Sequence, residues 1–234
     1  MAYELYRPEW GENRPIRGVL FDMDGLVLNS EILYSRFWRA ACQAHGFDMS
    51  YDESLKMRGL GKQMGEKMLH SFFGEKADFY AIRETRIQMM DAFIEENGVD
   101  VKPGIFELMA YLKAQGIRTA ITSSSPLPRI QSHLSRHGLD TAFDKLCSGR
   151  DMPLGKPAPD IYLHGAAVLG LNPEECLALE DAPAGILSAY RAGCLTVMIP
   201  DQDQPDEETK KLLYAKADSL KDIIDLMQMQ KGQR

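Results

Sequence analysis

The chain has 234 residues, of which 44% are hydrophobic and 26% are charged, and its formal net charge is -7. This composition is ordinary for a globular protein with an ample core, and the acidic balance argues against nucleic acid or an anionic membrane as the main partner. No apolar run approaches the roughly 20 residues that a membrane span needs. The polar N-terminus has no secretory pattern, and the four cysteines are far apart with no C-x-x-C pair. We therefore expect a cytoplasmic protein, and we expect it to be a monomer.

Short apolar runs alternate with amphipathic stretches along most of the chain. Stretches such as Ile161–Leu169 and Ala184–Ala192 have the apolar spacing of helices and are followed by glycine. Strand, helix and strand in this order predict right-handed crossovers and a parallel sheet, in which ligands lie beyond the carboxyl ends of the strands. The predicted strands are Gly18–Met23, Arg118–Ser123, Asp144–Cys147, Cys176–Leu179 and Leu195–Ile199.

The region between the first two predicted strands breaks this rhythm. From Ser30 to about Gly98 no segment has a convincing strand pattern, whereas Lys62–Phe73 and Ala77–Glu96 have helical patterns. We therefore predict an α/β core domain over residues 1–31 and 99–234, interrupted by a helical domain over residues 32–98. Two chain crossings would join the domains, and two crossings permit a hinge.

The first predicted strand ends in two carboxylates, Asp22 and Asp24, followed by Gly25. Side chains at i and i+2 of an extended chain project to the same side, so both carboxylates can face one small volume. Like charges held that close repel each other unless a cation compensates them, and Mg²⁺ is a hard cation that prefers oxygen ligands. Gly25 allows a sharp turn close to a ligand. Alone this pattern is weak evidence, because paired acids are also common on solvated surfaces.

Three further polar segments follow predicted strands. Ser123 can offer its hydroxyl to a phosphate oxygen, although a serine run before proline also fits a plain turn or helix cap. Lys156 lies between glycine and proline, which would hold a cation on a rigid backbone. Glu180 and Asp181 end an otherwise apolar strand, although Asp181 could also cap the next helix. The predicted topology places all of these groups on one edge of the sheet.

In their order and spacing these segments resemble the four motifs of the haloacid dehalogenase superfamily. The resemblance covers nearly the whole chain, includes a helical cap after the first motif, and is strongest toward sugar-phosphate phosphatases and β-phosphoglucomutases. One departure is Asn29, at a position where relatives often have aspartate. The resemblance implies a Rossmann-like parallel sheet with an inserted α-helical cap. The matching segments are Asp22-x-Asp24-Gly25, Thr122-Ser123, Lys156-Pro157 and Glu180-Asp181.

The resemblance implies a Mg²⁺-dependent phosphatase that hydrolyses a small phosphorylated metabolite, such as a sugar phosphate. Asp22 would be the nucleophile that forms an aspartyl-phosphate, and Asp24 would be the general acid and base. Asp22, the backbone carbonyl of Asp24, and Asp181 would bind the metal, with Glu180 adjacent.

The resemblance also implies that the transferring phosphate would be bound by Ser123, Ser124 and Lys156. Arg58 and Lys62 of the cap could bind a substrate phosphate or sugar, although each could equally be surface charge on a glycine-rich loop.

The main alternative is a β-phosphoglucomutase-type activity. A mutase must hold a second phosphate, and its second motif usually continues Ser-Lys-Asn, whereas Ser125 here is followed by Pro126 and Leu127. A phosphoryl-accepting receiver domain has similar groups but lacks the helical insertion. A catalytically silent scaffold would require the loss of a motif, and none is lost. The second acid, Asp24, excludes the dehalogenases of the superfamily.

Overall fold

The computed structural model describes residues 3–12, 14–57, 60, 62–202 and 204–232. The chain divides into two compact units, one formed by Met1–Leu28 with Val101–Arg234 and the other by Asn29–Asp100. All the strands belong to the first unit, and the described part of the second unit contains only helices. None of the helices in the described chain is long and apolar enough to cross a membrane.

The first unit contains a seven-stranded sheet with the order β1-β7-β6-β5-β2-β3-β4. Every neighbouring pair is parallel except β1 and β7, which are antiparallel. This architecture confirms the predicted α/β fold class, and the five predicted strands are present with ends that differ by at most two residues. The strands are β1 (Tyr3–Leu5), β2 (Gly18–Phe21), β3 (Arg118–Ser123), β4 (Lys145–Ser148), β5 (Cys176–Glu180), β6 (Leu195–Met198) and β7 (Ala215–Ala217).

Helices connect the parallel strands of the first unit, and they form all the regular structure found among the described residues of the second. The predicted helix Lys62–Phe73 is present with the same bounds. In chain order the helices of the described residues are α1 (Glu31–Ala44), α2 (Tyr51–Lys56), α3 (Lys62–Phe73), α4 (Phe79–Asn97), α5 (Ile105–Ala114), α6 (Leu127–Ser135), α7 (Asp160–Val168), α8 (Pro183–Ala192), α9 (Glu207–Lys210) and α10 (Asp222–Gly232).

The central strand β2 is buried along its whole length. Leu20 lies between Ala120 and Ala178 of the two neighbouring strands, in a core cluster that includes Tyr162 of α7. The rings of Phe21 and Phe143 pack edge-to-face, with their centroids 5.3 Å apart. Parallel strands covered on both faces are usually apolar, and the run before Asp22 contains no polar side chain. The first polar side chain after β2 therefore lies at the carboxyl edge of the sheet.

The second unit is a helical bundle with its own hydrophobic core. Helices α1 and α4 pack together, and the rings of Phe37 and Phe93 lie 5.4 Å apart between their centroids. Trp38, Leu69 and Ile82 are among the residues buried in its core. This unit can therefore bury a core from its own residues.

Candidate active site

The chain turns tightly after β2 and carries two carboxylates at that turn. Asp22 continues the pairing with β5, since its backbone N–H donates to the carbonyl of Leu179 at 3.0 Å. Gly25 has a φ of +89°, a conformation that residues with a Cβ rarely adopt, and its N–H donates to the Leu28 carbonyl at 2.9 Å. The Asp22 side chain is buried and that of Asp24 is half-buried. The turn thus places neighbouring carboxylates in different surroundings.

Lys156 contacts carboxylates from two adjacent strand ends. Its Nζ lies 2.5 Å from Oδ1 of Asp22 and 2.6 Å from Oε1 of Glu180. The ring of Tyr162 lies beneath the ammonium, 5.1 Å from Nζ to the centroid, and the Tyr162 hydroxyl donates to the same Glu180 oxygen. The structure therefore brings together Asp22, Lys156 and Glu180 at the carboxyl ends of β2 and β5.

Three buried acids in this region form a cluster that can hold a metal ion. Asp22, Glu180 and Asp181 each offer a carboxylate oxygen, and these oxygens lie within 4.8 Å of one another. Oxygen donors of this kind suit a hard divalent cation such as Mg²⁺. The single charge of Lys156 cannot balance three carboxylates, so the charge of the cluster also favours a cation.

The side chain of Asp24 does not belong to this acidic cluster. Its Oδ2 accepts a hydrogen bond from Oγ of Ser125 at 3.1 Å. The predicted metal contact of Asp24 is through its backbone carbonyl, and that contact stays a prediction.

The pKa values at the site follow from burial and from the neighbouring charges. Burial raises the pKa of Asp22 to about 8; Lys156 opposes this shift, and the charges of Glu180 and Asp24 add to it. Burial lowers the pKa of Lys156, but the charges of Asp22 and Glu180 outweigh it and raise that pKa well above its ordinary value. Burial thus dominates the shift of the Asp22 pKa, whereas the neighbouring carboxylates decide the direction for Lys156.

The serines after β3 form a compact loop beside Asp24. Ser123 is buried, and its Oγ accepts a hydrogen bond from the backbone N–H of Ser125 at 3.1 Å. Ser148 of the next strand donates through its hydroxyl to the Ser125 carbonyl at 2.9 Å. Ser124 is exposed. The predicted phosphate contacts of Ser123 and Ser124 stay predictions.

The two predicted cap residues have different outcomes. Arg58 lies outside the described residues. Lys62 is exposed and is the first residue of α3, in the second unit. Its assignment to substrate binding stays a prediction.

Sequence reasoning missed three residues that contact the predicted site residues. The Tyr162 hydroxyl donates to Glu180, and the Ser125 hydroxyl donates to Asp24. An added Cβ at Gly185 would lie 2.0 Å from the Glu180 carboxylate. The only sequence signals for them were a tyrosine near the lysine motif, a third hydroxyl in the serine run, and a glycine in the first turn of a predicted helix.

Comparison with known proteins identifies the family. The family model described as haloacid dehalogenase-like hydrolase matches residues 16–193. The chain belongs to this family. The chain is therefore an enzyme of the haloacid dehalogenase-like hydrolases, and the matched range includes the site residues that the sequence predicted in the first unit.

Curated relatives and solved structures of this kind match most of the chain. Hexitol phosphatase A of Escherichia coli (strain K12) is 34% identical over 183 residues, which cover 78% of this chain and 82% of that protein. Hexitol phosphatase B of the same strain is 29% identical over 214 residues, covering 90% of this chain and 95% of that protein. The crystal structure of a HAD family hydrolase from Deinococcus radiodurans R1 has a TM-score of 0.77 and 23% identity, and it covers 94% of this chain and 98% of that one. The structural match confirms the fold.

Proposed function

We propose that this protein is a Mg²⁺-dependent phosphatase that hydrolyses a small phosphorylated metabolite through an aspartyl-phosphate on Asp22. The observation that carries the proposal is the convergence of Asp22, Lys156 and the Glu180–Asp181 pair at the carboxyl edge of the sheet. A carboxylate alone repels a phosphate, whereas one that contacts an ammonium and faces a metal site can approach phosphorus.

The reaction has two steps at phosphorus. In the first, a carboxylate oxygen of Asp22 bonds to phosphorus while the bond from phosphorus to the alcohol oxygen breaks, and Asp24 donates a proton to that leaving oxygen. In the second, Asp24 takes a proton from water as the water oxygen bonds to phosphorus and the bond from phosphorus to the Asp22 oxygen breaks, which releases inorganic phosphate and restores the Asp22 carboxylate. A positioned acid and base of this kind is typically worth ~10²–10⁴-fold in rate.

The acidic cluster would hold Mg²⁺ during both steps. The ligands would be the carboxylates of Asp22 and Asp181, the carboxylate of Glu180, and the backbone carbonyl of Asp24. The ion would supply positive charge that screens the attacking carboxylate from the phosphate. Lys156 would contribute the second positive charge from the side of Asp22.

The substrate class is a sugar phosphate or the phosphate of a related polyol. Two of the relatives reported above are named hexitol phosphatases, and their matches extend over more than four-fifths of each protein. The absence of a lysine after Ser125 supports water over a second sugar hydroxyl as the acceptor, since Pro126 and Leu127 carry no charge for a second phosphate.

The proposal is tested by incubating the protein with Mg²⁺ and a panel of hexose and hexitol phosphates. Wild type should release inorganic phosphate, and Asp22→Asn should release none. The matched control is Asp218→Asn, because that side chain is 69% exposed and the substitution removes the same charge. The control should keep the wild-type rate.

Two other outcomes would decide against the phosphatase. Conversion of β-glucose 1-phosphate to glucose 6-phosphate without phosphate release would identify a mutase. No turnover of any phosphoester on the panel by the wild-type protein would contradict both activities.

A further inference from the structure

One oxygen of Glu180 accepts two hydrogen bonds from different elements. Its Oε1 accepts from Nζ of Lys156 at 2.6 Å and from the hydroxyl of Tyr162. Glu180 is 1% exposed and Tyr162 is fully buried, so water does not compete for this oxygen. Hydrogen bonds to a buried carboxylate are among the strong ones, because the acceptor is charged and the surroundings are apolar.

The backbone of α8 confines the same carboxylate from the other side. A Cβ added at Gly185 would lie 2.0 Å from both Cδ and Oε1 of Glu180 and 2.1 Å from Oε2. The carboxylate therefore lies directly against the first turn of a helix, where the positive end of the helix dipole also favours an anion. Glu180 is held on one side by two donors and on the other by a helix backbone.

We propose that Tyr162 is a positioning residue of this site, acting on the metal-binding carboxylate and on Lys156 through Oε1 of Glu180. The inference rests on the proposed function, because it assigns a role within the same site. Packing alone does not require the hydroxyl, since a phenylalanine would fill the same space in the core of the first unit. The hydroxyl occupies Oε1 together with Lys156, and this leaves Oε2 as the Glu180 oxygen that is free of these two donors.

The arrangement also explains how Lys156 keeps its place between two acids. Its ammonium contacts Asp22 and Glu180 and lies over the Tyr162 ring at 5.1 Å. A cation over an aromatic face is attracted to it, most strongly where water is excluded. Tyr162 thus contacts Lys156 through its ring and Glu180 through its hydroxyl, and only the second contact is lost in Tyr162→Phe.

The experiment compares wild type, Tyr162→Phe and a matched control, Tyr214→Phe. Tyr214 is 2% exposed and lies in the same unit just before β7, so the control removes a buried hydroxyl outside the predicted site. The first readout is the dissociation constant of Mg²⁺ from isothermal titration calorimetry with no substrate present. The second is the separate effect on kcat and KM for the best phosphate ester of the panel.

We expect Tyr162→Phe to weaken Mg²⁺ binding about tenfold or more, because loss of a partner that orients a metal ligand typically costs ~10–100-fold in affinity or activity. We expect kcat to fall by a similar factor while KM changes by less than about threefold, since the substrate itself does not lose a contact. Tyr214→Phe should leave Mg²⁺ affinity and kcat at wild-type values.

Equal Mg²⁺ affinity in wild type and Tyr162→Phe would overturn the proposal, and so would equal losses in the two tyrosine variants, which would indicate packing alone. Failure of wild type to bind Mg²⁺ would overturn it as well. If wild type binds Mg²⁺ but hydrolyses no phosphate ester, the proposed function fails, and calorimetry still decides the role of Tyr162.

Discussion

The sharpest test of the site geometry is Gly185→Ala, a substitution of a single hydrogen by a methyl group in the first turn of α8. The new Cβ would lie 2.0 Å from Oε1 of Glu180. Non-bonded heavy atoms at optimal separation lie ~3.5 Å or more apart, so the carboxylate must shift by about 1.5 Å. It cannot do so without cost, because it is buried and accepts hydrogen bonds from Lys156 and Tyr162.

The magnitude follows from these contacts. A shift of about 1.5 Å carries a 2.6 Å hydrogen bond from Lys156 beyond the ~3.2 Å limit of such bonds. Misplacement of a reacting group by ~1 Å can cost 10²-fold in rate, so we expect kcat to fall on the order of 10²-fold. Two lost hydrogen bonds to a charged group cost about 1.5–3 kcal/mol each, against a gain of about 0.5–1 kcal/mol from replacing glycine in a helix. The free energy of unfolding should therefore decrease by about 2–5.5 kcal/mol.

The assay is steady-state phosphate release, together with urea denaturation followed by circular dichroism. The matched control is Gly155→Ala, because an added Cβ there has no atom within 4 Å although Lys156 is the next residue. The control should keep the wild-type kcat within a few-fold and the wild-type midpoint. A Gly185→Ala variant with wild-type kcat would refute the position of the Glu180 carboxylate against α8 and the reasoning built on it.

Three further predictions concern other contacts. Ser125→Ala removes the hydroxyl that donates to Asp24 and should lower kcat about tenfold, measured from initial rates at saturating substrate. An unchanged kcat would mean that this hydrogen bond does not position Asp24. The four cysteines are buried, and burial raises the pKa of Cys147 to about 11, so little of this thiol is ionised at pH 8. Native protein should react with a chromogenic disulfide reagent far more slowly than protein unfolded in guanidinium. Equally fast reaction of the two would contradict the burial of the cysteines. The backbone N–H of Ser50 donates to the Glu53 carboxylate and lowers its pKa below the ordinary 4.5, so this contact stabilises the fold above pH 4.5 and the stabilisation is lost as pH falls through the lowered pKa. The difference in thermal stability between wild type and Glu53→Gln should therefore shrink in acid. A difference that grows in acid would contradict this linkage.

The sheet core and the meeting of the motif residues could be predicted from the sequence. Parallel strands covered on both faces read as nearly continuous apolar runs, and β2 and the first four residues of β5 form such runs, whereas β3 is buried with threonines in it. Once those strands lie side by side, the residues after them must share one edge of the sheet. The contact of Lys156 with Asp22 and Glu180 follows from topology and from the chemistry of opposite charges.

The edge of the sheet could not be predicted in this way. Strands β1 and β7 have three residues each, which is too short for alternation to form a pattern. They pair with each other in antiparallel fashion, from opposite ends of the sequence. Their formation depends on a tertiary partner and not on local propensity.

The contacts that confine the Glu180 carboxylate also could not be predicted from the sequence. Tyr162 lies on a buried face of α7, where its apolar ring alone accounts for its position. Its hydroxyl becomes informative only when α7 is packed on the sheet and the distance to Glu180 is known. Gly185 resembles any small residue in a first turn until the neighbouring strand shows what a Cβ would meet.

The two carboxylates at the end of β2 show why their proposed roles differ although their chemistry is the same. Asp22 is enclosed with Lys156 and the acidic pair, so it has little water to displace before it meets phosphorus, and its negative charge is favourable only beside cations. Asp24 is half-buried and accepts a hydrogen bond from the Ser125 hydroxyl, so its surroundings are less enclosed than those of Asp22. A single residue, Met23, separates the two carboxylates along the chain. The proposed nucleophile and the proposed proton donor can therefore both be aspartates, because their different positions at the strand end give them different surroundings.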